Sequence, residues 1–324
     1  MSNSSQSFFT WLKNVLLALI DRIYPQRQKK QRNTGIMAKK LVLSTGNIVS
    51  GGPSIIRKPG AYRSNLELTN SLRSNFLAAK QDYATPSTSN GNGTPDNGLS
   101  GLQEDPSQYE ITVKMFFLPT SDVPSRARYT REALSLVMKE LRVPSVSLLI
   151  VSFPEMSFEG DCEWEADKKN AAQGNDEEEL ATWAQAVEPL HDEGLVRQLG
   201  IAEFGSEKLA RFLAGVRIKP SVDQINIKNC CNVPPPLVKL AKEKGIELFV
   251  HSDCTDVLPK GTLRELLGQG VRGAGVLADP AEDVEEGLRG DLTPQWVVKY
   301  TAVVRDRGVI ENKGYFAGAG LVEE

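Results

Sequence analysis

The chain has 324 residues, of which 40% are hydrophobic and 24% charged, with a formal net charge of −3. This composition is ordinary for a soluble globular protein, and the length suits one large domain or two medium ones. So small a net charge gives no electrostatic case for nucleic acid as a partner. The four cysteines lack C-x-x-C spacing and a histidine at zinc-finger distance, so we expect no metal site. Few cysteines in a long chain suit a reducing compartment, and we expect a cytoplasmic protein.

The amino-terminal segment is basic, since its first forty residues hold eight lysines and arginines and one acid, Asp21. Residues 8–24 are apolar and partly amphipathic, but too short and too interrupted to span a bilayer. Three interpretations of residues 1–36 stay open: a targeting helix, an interfacial anchor with a basic tail, or an artefact upstream of a true start at Met37. Membrane contact is expected only if residues 8–32 are retained.

Apolar residues then recur at strand or helix spacing up to residue 153. The strongest apolar run ends at Pro154, a residue that sheets tolerate only at their margins. The predicted elements, in chain order, are a strand at 41–43, a helix at 57–81, a strand at 111–118, a helix at 131–142 and a strand at 146–153.

Residues 180–253 alternate helix and strand three times. Pro220 breaks the second helix, and Gly245 follows the third as a C-cap glycine. Successive strands separated by crossover helices lie parallel in one buried sheet. The pattern therefore predicts a doubly wound sheet or a (β/α)8 barrel. The elements are helices at 180–190, 207–213 and 237–241 and strands at 196–202, 222–227 and 246–250.

The last part of the chain is predicted to hold one more helix and a short strand. Thr293 and Pro294 suit the N-cap and first position of a helix that ends at Gly308, and a strand begins at 309–310. The sequence predicts about seven strands in a regular strand–helix alternation, and no linker separates two cores. This pattern favours a single α/β domain that spans residues 37–324. We expect this domain to be a (β/α)8 barrel.

Three stretches are predicted to be disordered loop insertions in the barrel. The first, about 84–108, is rich in Ser, Thr, Asn, Gly and Pro and holds too little apolar surface to order itself. The second, 160–179, holds eight acids and two lysines, and the third, 268–291, is glycine-rich and acidic.

Chemistry in such a barrel sits at the carboxyl ends of the strands. For His251 both a catalytic imidazole and a buried or stacking ring are possible, and the second is favoured. The residues at predicted strand ends are Lys114, Ser152, Glu203, Gln224 and His251.

Five segments resemble the aldo-keto reductase family of (β/α)8 barrels, in the family's order. They read ITVKMFF, SVSLLIVSFP, WAQAVEPLHDEGLVRQLGIAEF, RIKPSVDQINI and LAKEKGIELFVHSDC. The resemblance implies carbonyl reduction with NADPH, a tyrosine acid activated by lysine and aspartate, and a histidine that orients the substrate oxygen. Lys114 matches the lysine, and Gln224 and His251 match cofactor-binding positions.

The departures from that family concern its catalytic groups. Ser152 stands at the histidine position, so Lys114 and Ser152 are expected to be vestigial. The segment after 41–43 lacks the family's aspartate and tyrosine, and Tyr62 is not in their context. The segment of the last strand that binds the cofactor phosphate in the reductase family is replaced here by GVIENKGYFAGAG. We therefore expect no catalytic residue and no bound cofactor, with NADP(H) left open.

A narrower resemblance keeps these departures. LVLSTGNIVSGG, QINIKNCCNVPPPL and QWVVKYTAVVRDRGVIENKGYF are similar to segments of the regulatory (modifier, or light) subunits of glutamate–cysteine ligase. That family implies a non-catalytic, cytoplasmic partner that binds the catalytic subunit and raises its efficiency in the first step of glutathione synthesis. Two alternatives stay open: an active NADPH-dependent reductase, and an NADP(H)-binding sensor without chemistry.

Two further groups of residues are candidates for regulation and contact. Cys230, Cys231 and Cys254 are candidates for redox-responsive thiols. For the adjacent pair, the favoured interpretation is one small core residue and one incidental surface residue. Basic and aromatic residues near the carboxyl terminus suit an anchor-and-rim contact with a partner. These are Arg305, Arg307, Lys313 and Tyr315.

Overall fold

The computed structural model describes residues 39–49, 64–84, 101–226, 232–270, 273–279 and 287–322. The predictions about residues 1–36, most of the first insertion, and the adjacent Cys230 and Cys231 lie outside these ranges. No helix within them has the length and apolarity needed to cross a membrane.

The described residues form eight strands and eight α-helices. The strands are β1 (Lys39–Ser44), β2 (Tyr109–Phe117), β3 (Val146–Ser152), β4 (Val196–Ala202), β5 (Val222–Asn226), β6 (Glu247–His251), β7 (Asp291–Val304) and β8 (Val309–Val322). The helices are α1 (Ser64–Ala84), α2 (Val123–Leu141), α3 (Glu163–Asn170), α4 (Asp176–Thr182), α5 (Glu188–Asp192), α6 (Ser206–Gly215), α7 (Pro235–Lys244) and α8 (Thr262–Leu267). A π-helical turn, Trp183–Val187, joins α4 to α5.

The strands form one sheet in the order β1-β8-β7-β2-β3-β4-β5-β6. From β2 to β6 all neighbours are parallel, with helices in the connections, whereas β7, β8 and β1 are antiparallel. The α/β class and the parallel order predicted for residues 111–251 are confirmed.

The helix predicted from Thr293 to Gly308 is wrong, because these residues belong to β7 and its turn. Trp296, Tyr300 and Val304 recur every fourth residue, and four is also twice the period of a strand. Val298 and Ala302 fill the same face, and all five are buried. Pro294 lies at an irregularity in the β7–β8 register, where a strand tolerates proline. The short final strand is in fact β8, 14 residues long.

The two faces of the sheet carry separate cores. On the outer face, the odd residues of β2 and the even residues of β7 pack with α2, α6 and α7. On the inner face, Phe116, Val297 and Ala317 pack with Leu68 and Leu72 of α1 and with α8. Further along the inner face, the parallel strands contribute a small cluster of Leu148, Ile150, Ala202 and Val222.

Two of the three predicted disordered insertions are wrong in their described parts. Residues 163–170 and 176–182 form α3 and α4, and Asn170 is fully buried. The segment is ordered because its acids form ion pairs with cations from other parts of the chain. Glu179, for example, lies 2.8 Å from the buried ammonium of Lys208. In the third segment Val276 and Leu277 are buried in the inner-face core.

Candidate functional site

A buried charge cluster lies at the carboxyl ends of the parallel strands. Lys114 of β2 and Lys299 of β7 are cross-strand partners, and both contact Asp253, just after β6. The Nζ atoms lie 3.0 Å and 2.7 Å, respectively, from the two carboxylate oxygens. Since β3, β4 and β5 separate β2 from β6, these contacts require the sheet to curl strongly, as a barrel does.

Electrostatics favour the ionised form of Asp253 in this cluster. Burial alone would raise the pKa of Asp253, but Lys114 and Lys299 outweigh it and hold that pKa well below its usual range. Burial lowers the pKa of Lys114, and the charges of Asp253 and Glu203 oppose that shift. A buried pair of this kind holds a structure together only while both partners are present.

A second pair lies beside the first. The Nε2 atom of His251 is 2.6 Å from Oε1 of Glu203, and both side chains are more than nine-tenths buried. The backbone N–H of Asp253 donates to Nδ1 of His251 at 3.1 Å, so the ring proton is carried on Nε2 and faces Glu203. The contact is a close approach without good hydrogen-bond geometry at Nε2, and the other carboxylate oxygen of Glu203 makes no hydrogen bond to any described residue.

Helix α3 fixes the turn that carries Glu203. This residue has a φ of 67°, in the left-handed region that non-glycine residues seldom occupy. Asn170 donates from Nδ2 to the Glu203 carbonyl at 2.7 Å and accepts the Gly205 N–H at 2.6 Å. Asp167 accepts both the N–H and the hydroxyl of Ser206, at 2.6 and 2.5 Å, and so caps α6. The segment predicted to be a solvated loop therefore positions a site residue.

One further carboxyl is buried under this turn. Asp223 of β5 is fully buried, and neither of its oxygens makes a hydrogen bond of good geometry to a described residue. Burial, aided by the nearby charge of Glu203, raises the pKa of Asp223 well above its usual value.

The structure gathers only some of the predicted strand-end residues. Lys114, Glu203 and His251 belong to the site. Ser152 is half-buried at the end of β3 and Gln224 is half-buried in the middle of β5, with no charged partner described for either. Sequence reasoning missed Asp253 and Lys299. The sequence could have indicated Asp253, because it lies two residues after His251, which was predicted to lie at a strand end. Lys299 was hidden by the wrong helix prediction.

The predicted contact residues divide into buried and exposed members. Tyr315 is fully buried and donates its hydroxyl to Glu67 at 2.6 Å, so its prediction as a surface contact is wrong. Lys313 is largely covered, and its Nζ lies 2.7 Å from the same carboxylate. Arg305 and Arg307 are exposed and pair with acids, Glu110 and Glu104 respectively. A partner-binding role for these two arginines stays a prediction.

Cys254 is half-buried beside the start of α1. Its N–H donates to the Ser64 hydroxyl at 2.8 Å, and its thiol lies 3.3 Å from Oδ1 of Asn65. A redox role for this thiol stays a prediction, and the other two candidate thiols, Cys230 and Cys231, lie outside the described ranges.

The charges at these strand ends do not suit an anionic dinucleotide. Both lysines contact Asp253, the carboxylates of Asp253 and Glu203 together offset their charges, and the imidazole faces Glu203. None of these three cationic or ionisable groups is left uncommitted for a phosphate. These described strand-end residues therefore do not fit the phosphates of NADP(H), and we assign the cofactor no chemical step.

Comparisons with known proteins agree with this sheet. The profile described as "Aldo/keto reductase family" matches residues 97–266, more than half of the chain. The chain is 28% identical over 302 residues to a putative glutamate–cysteine ligase regulatory subunit of Schizosaccharomyces pombe, across 88% of this chain and 98% of that one.

Other likenesses are more partial. Identity with the glutamate–cysteine ligase regulatory subunit of Homo sapiens is 23% over 212 residues, 65% of this chain and 66% of that one. The match to the solved structure of the aldose reductase from Schistosoma japonicum covers 58% of this chain and 52% of that one, with 24% identity. Its TM-score is 0.31, and no argument is based on it. The family match, on a curled sheet with parallel strands and crossover helices, leads to one conclusion: the chain belongs to the aldo/keto reductase family.

Proposed function

We propose that this protein is a non-catalytic regulatory subunit of glutamate–cysteine ligase, which binds the catalytic subunit in the cytoplasm and raises its efficiency in glutathione synthesis. The observation that carries the proposal is the likeness to a named regulatory subunit along 88% of this chain and 98% of that relative. A likeness of this extent necessarily covers the parallel strands β2 to β6.

The site chemistry supports a role without carbonyl reduction. Reduction needs a proton donor beside the carbon that receives hydride. Tyr315 lies on the same sheet face as Lys299, its cross-strand partner, but its hydroxyl is already donated to Glu67. Burial and the Glu67 carboxylate raise the pKa of Tyr315, which makes it a poor acid.

Regulation of a partner requires a coupling free energy between the subunit interface and the partner's active site. Such couplings are typically about 1–3 kcal/mol, and they arise only from contacts that differ between two states of the partner. Arg305 and Arg307 are our candidates for part of that contact, because they are exposed and adjoin the apolar Val309 and Ile310.

The proposal is tested by mixing the chain with the ligase catalytic subunit and measuring complex formation by size-exclusion chromatography with light scattering. We expect a stable complex. Two chains that elute separately at all concentrations tested would overturn the proposal.

An active NADPH-dependent reductase is the second candidate, favoured by the Lys114–Asp253 pair, which sets a lysine beside an aspartate. Titration of NADPH by fluorescence, followed by turnover of a test aldehyde, separates the two. We expect no turnover, and robust turnover would favour the reductase. Binding without turnover, linked to the affinity for the partner, would indicate a sensor.

A further inference from the structure

Helix α3 carries an exposed tryptophan. Trp164 is 56% exposed, whereas the two other tryptophans among the described residues, Trp183 and Trp296, are fully buried. Within the described ranges Trp164 takes part in no aromatic pair and no cation–π contact. Tryptophan is the side chain that most often anchors a protein–protein contact, so an indole left in water is a candidate anchor.

The fold itself does not use the Trp164 side chain. The buried residues of α3 are Ala166, Asp167 and Asn170, and the last two hold the turn after β4. The preceding loop packs closely on the helix, since a Cβ at Gly160 would lie 2.6 Å from the Ala166 nitrogen. Helix α3 is therefore a fixed support, which presents the indole without the entropy cost of ordering a loop.

The surface beside Trp164 is negatively charged. Residues 159–169 hold five acids and two lysines, which gives them a net charge of −3. Lys169 is paired with Glu165 at 2.6 Å, whereas Glu159 and Glu163 form no ion pair with any described residue. The surroundings of the exposed indole therefore attract positive charge.

We propose that Trp164 and the acids beside it bind a cationic surface of the ligase catalytic subunit, with an arginine guanidinium stacked on the indole. The face of an indole attracts a cation, most often arginine, and carboxylates nearby can accept charge-assisted hydrogen bonds from the same group. This contact rests on the proposed function, because it belongs to the partner named there.

The charge of the surface decides between the possible occupants. A second copy of the chain, related by a two-fold axis, would set the acidic surface against itself, and like charges disfavour such a contact. Anionic lipids and nucleic acids are repelled for the same reason. A cationic protein surface gains from both the indole and the carboxylates. Residues 1–36 of this chain are also basic, and they are distinguished from the partner by fluorescence quenching.

Acrylamide quenching of tryptophan fluorescence measures whether Trp164 is free in the full chain. Acrylamide is uncharged, so the acids do not repel it, and the difference between wild type and Trp164→Phe reports Trp164 alone. We expect strong quenching of this component in the chain by itself, and protection after the catalytic subunit is added. Protection in the chain by itself would show that the chain covers its own tryptophan, and would overturn the proposal.

The affinity for the catalytic subunit measures the contact itself. Trp164→Ala should raise the dissociation constant about tenfold or more. Glu163→Lys should also raise it, and by a larger factor at low salt than at high salt. The matched controls are Val238→Ala, at an apolar residue of α7 that is 46% exposed, and Asp256→Lys, at an exposed acid after β6. Both controls should leave the dissociation constant unchanged.

Two further variants identify the group that lies on the indole. Trp164→Phe keeps an aromatic face for a cation, whereas Trp164→Leu keeps only an apolar side chain, so the first should retain more affinity. Equal losses in the two variants would overturn the arginine contact. A wild-type chain that does not bind at all would instead overturn the proposed function, whereas wild-type binding that Trp164→Ala leaves unchanged would overturn this contact alone.

Discussion

Asp253 shows how one residue can hold distant strands together. It lies after the sixth strand in chain order, yet it contacts lysines on β2 and β7. The carboxylate thus ties the last parallel strand to the middle of the sheet. Its removal leaves two cations at a buried site without their counter-charge, which costs more than the pair contributes.

Asp253→Asn should lower the free energy of unfolding by about 3 kcal/mol or more at pH 7, because a buried pair is broken on one side. The folded pKa of Asp253 is depressed, so its stabilising contribution is complete above the unfolded pKa of about 3.9 and is lost as the pH falls below it. Urea titrations of both proteins at several pH values measure this. The matched control is Asp256→Asn, at an exposed acid three residues away, which should change stability by less than about 0.5 kcal/mol.

Asp223 should behave in the opposite way, since its folded pKa is raised. Its contribution is most favourable below the unfolded pKa of about 3.9, and it declines as the pH rises toward the folded pKa. Asp223→Asn should therefore stabilise the protein near neutral pH, with a gain that grows by up to about 1.4 kcal/mol per pH unit above pH ~4. A pH-independent difference between variant and wild type would contradict this account.

At the scale of elements, helices α1 and α3 have structural roles that their sequences do not predict. Helix α1 covers the inner face of the antiparallel strands through Leu68 and Leu72, and its Glu67 receives the Tyr315 hydroxyl. Helix α3 is short and mostly charged, yet Asn170 and Asp167 hold the turn after β4.

Asn170→Ala should cost about 1–3 kcal/mol, because it leaves buried backbone groups of Glu203 and Gly205 without partners. Lys169→Ala, one residue earlier on the same helix, removes only an exposed i,i+4 ion pair and should cost less than about 0.5 kcal/mol. Thermal unfolding of the two variants decides the matter. Equal, small effects would mean that α3 does not support the turn.

Tyr315→Phe tests how α1 is attached. Loss of a buried hydrogen bond to a charged group should cost about 1.5–3 kcal/mol. Amide exchange measured by NMR or mass spectrometry should accelerate in α1 more than in β2–β5, because the lost contact joins α1 to β8. Uniform acceleration across all elements would contradict a local attachment.

Periodicity predicted the parallel strands and their helices, because a buried strand bounded by glycine or proline has few alternative structures. It failed at β7, where apolar residues four apart fit either period, and only pairing with β2 and β8 decides between them. It also failed at 160–179, since a charged segment is ordered only when distant cations such as Lys208 meet it. Lys299 was not predicted as a site residue because β7 was predicted to be a helix. Asn170 and Asp167 were not predicted because 160–179 was predicted to be a disordered loop.

At the scale of the whole molecule, the curled sheet brings ionisable groups from several strands together at the carboxyl ends of its parallel strands. Lys114, Lys299 and Asp253 form one closed group, and His251 and Glu203 form another. Both lysines and the imidazole already have a carboxylate neighbour, which supports our proposal of a role other than proton transfer. We therefore propose that the protein acts through its surface, on a partner.

The most direct test of that central claim is the glutamate dependence of the ligase catalytic subunit, measured with and without this chain. Our account predicts that addition of the chain lowers the KM for glutamate, by about 5-fold or more if the coupling is of ordinary size. An unchanged KM, measured at chain concentrations that saturate any complex, would contradict it.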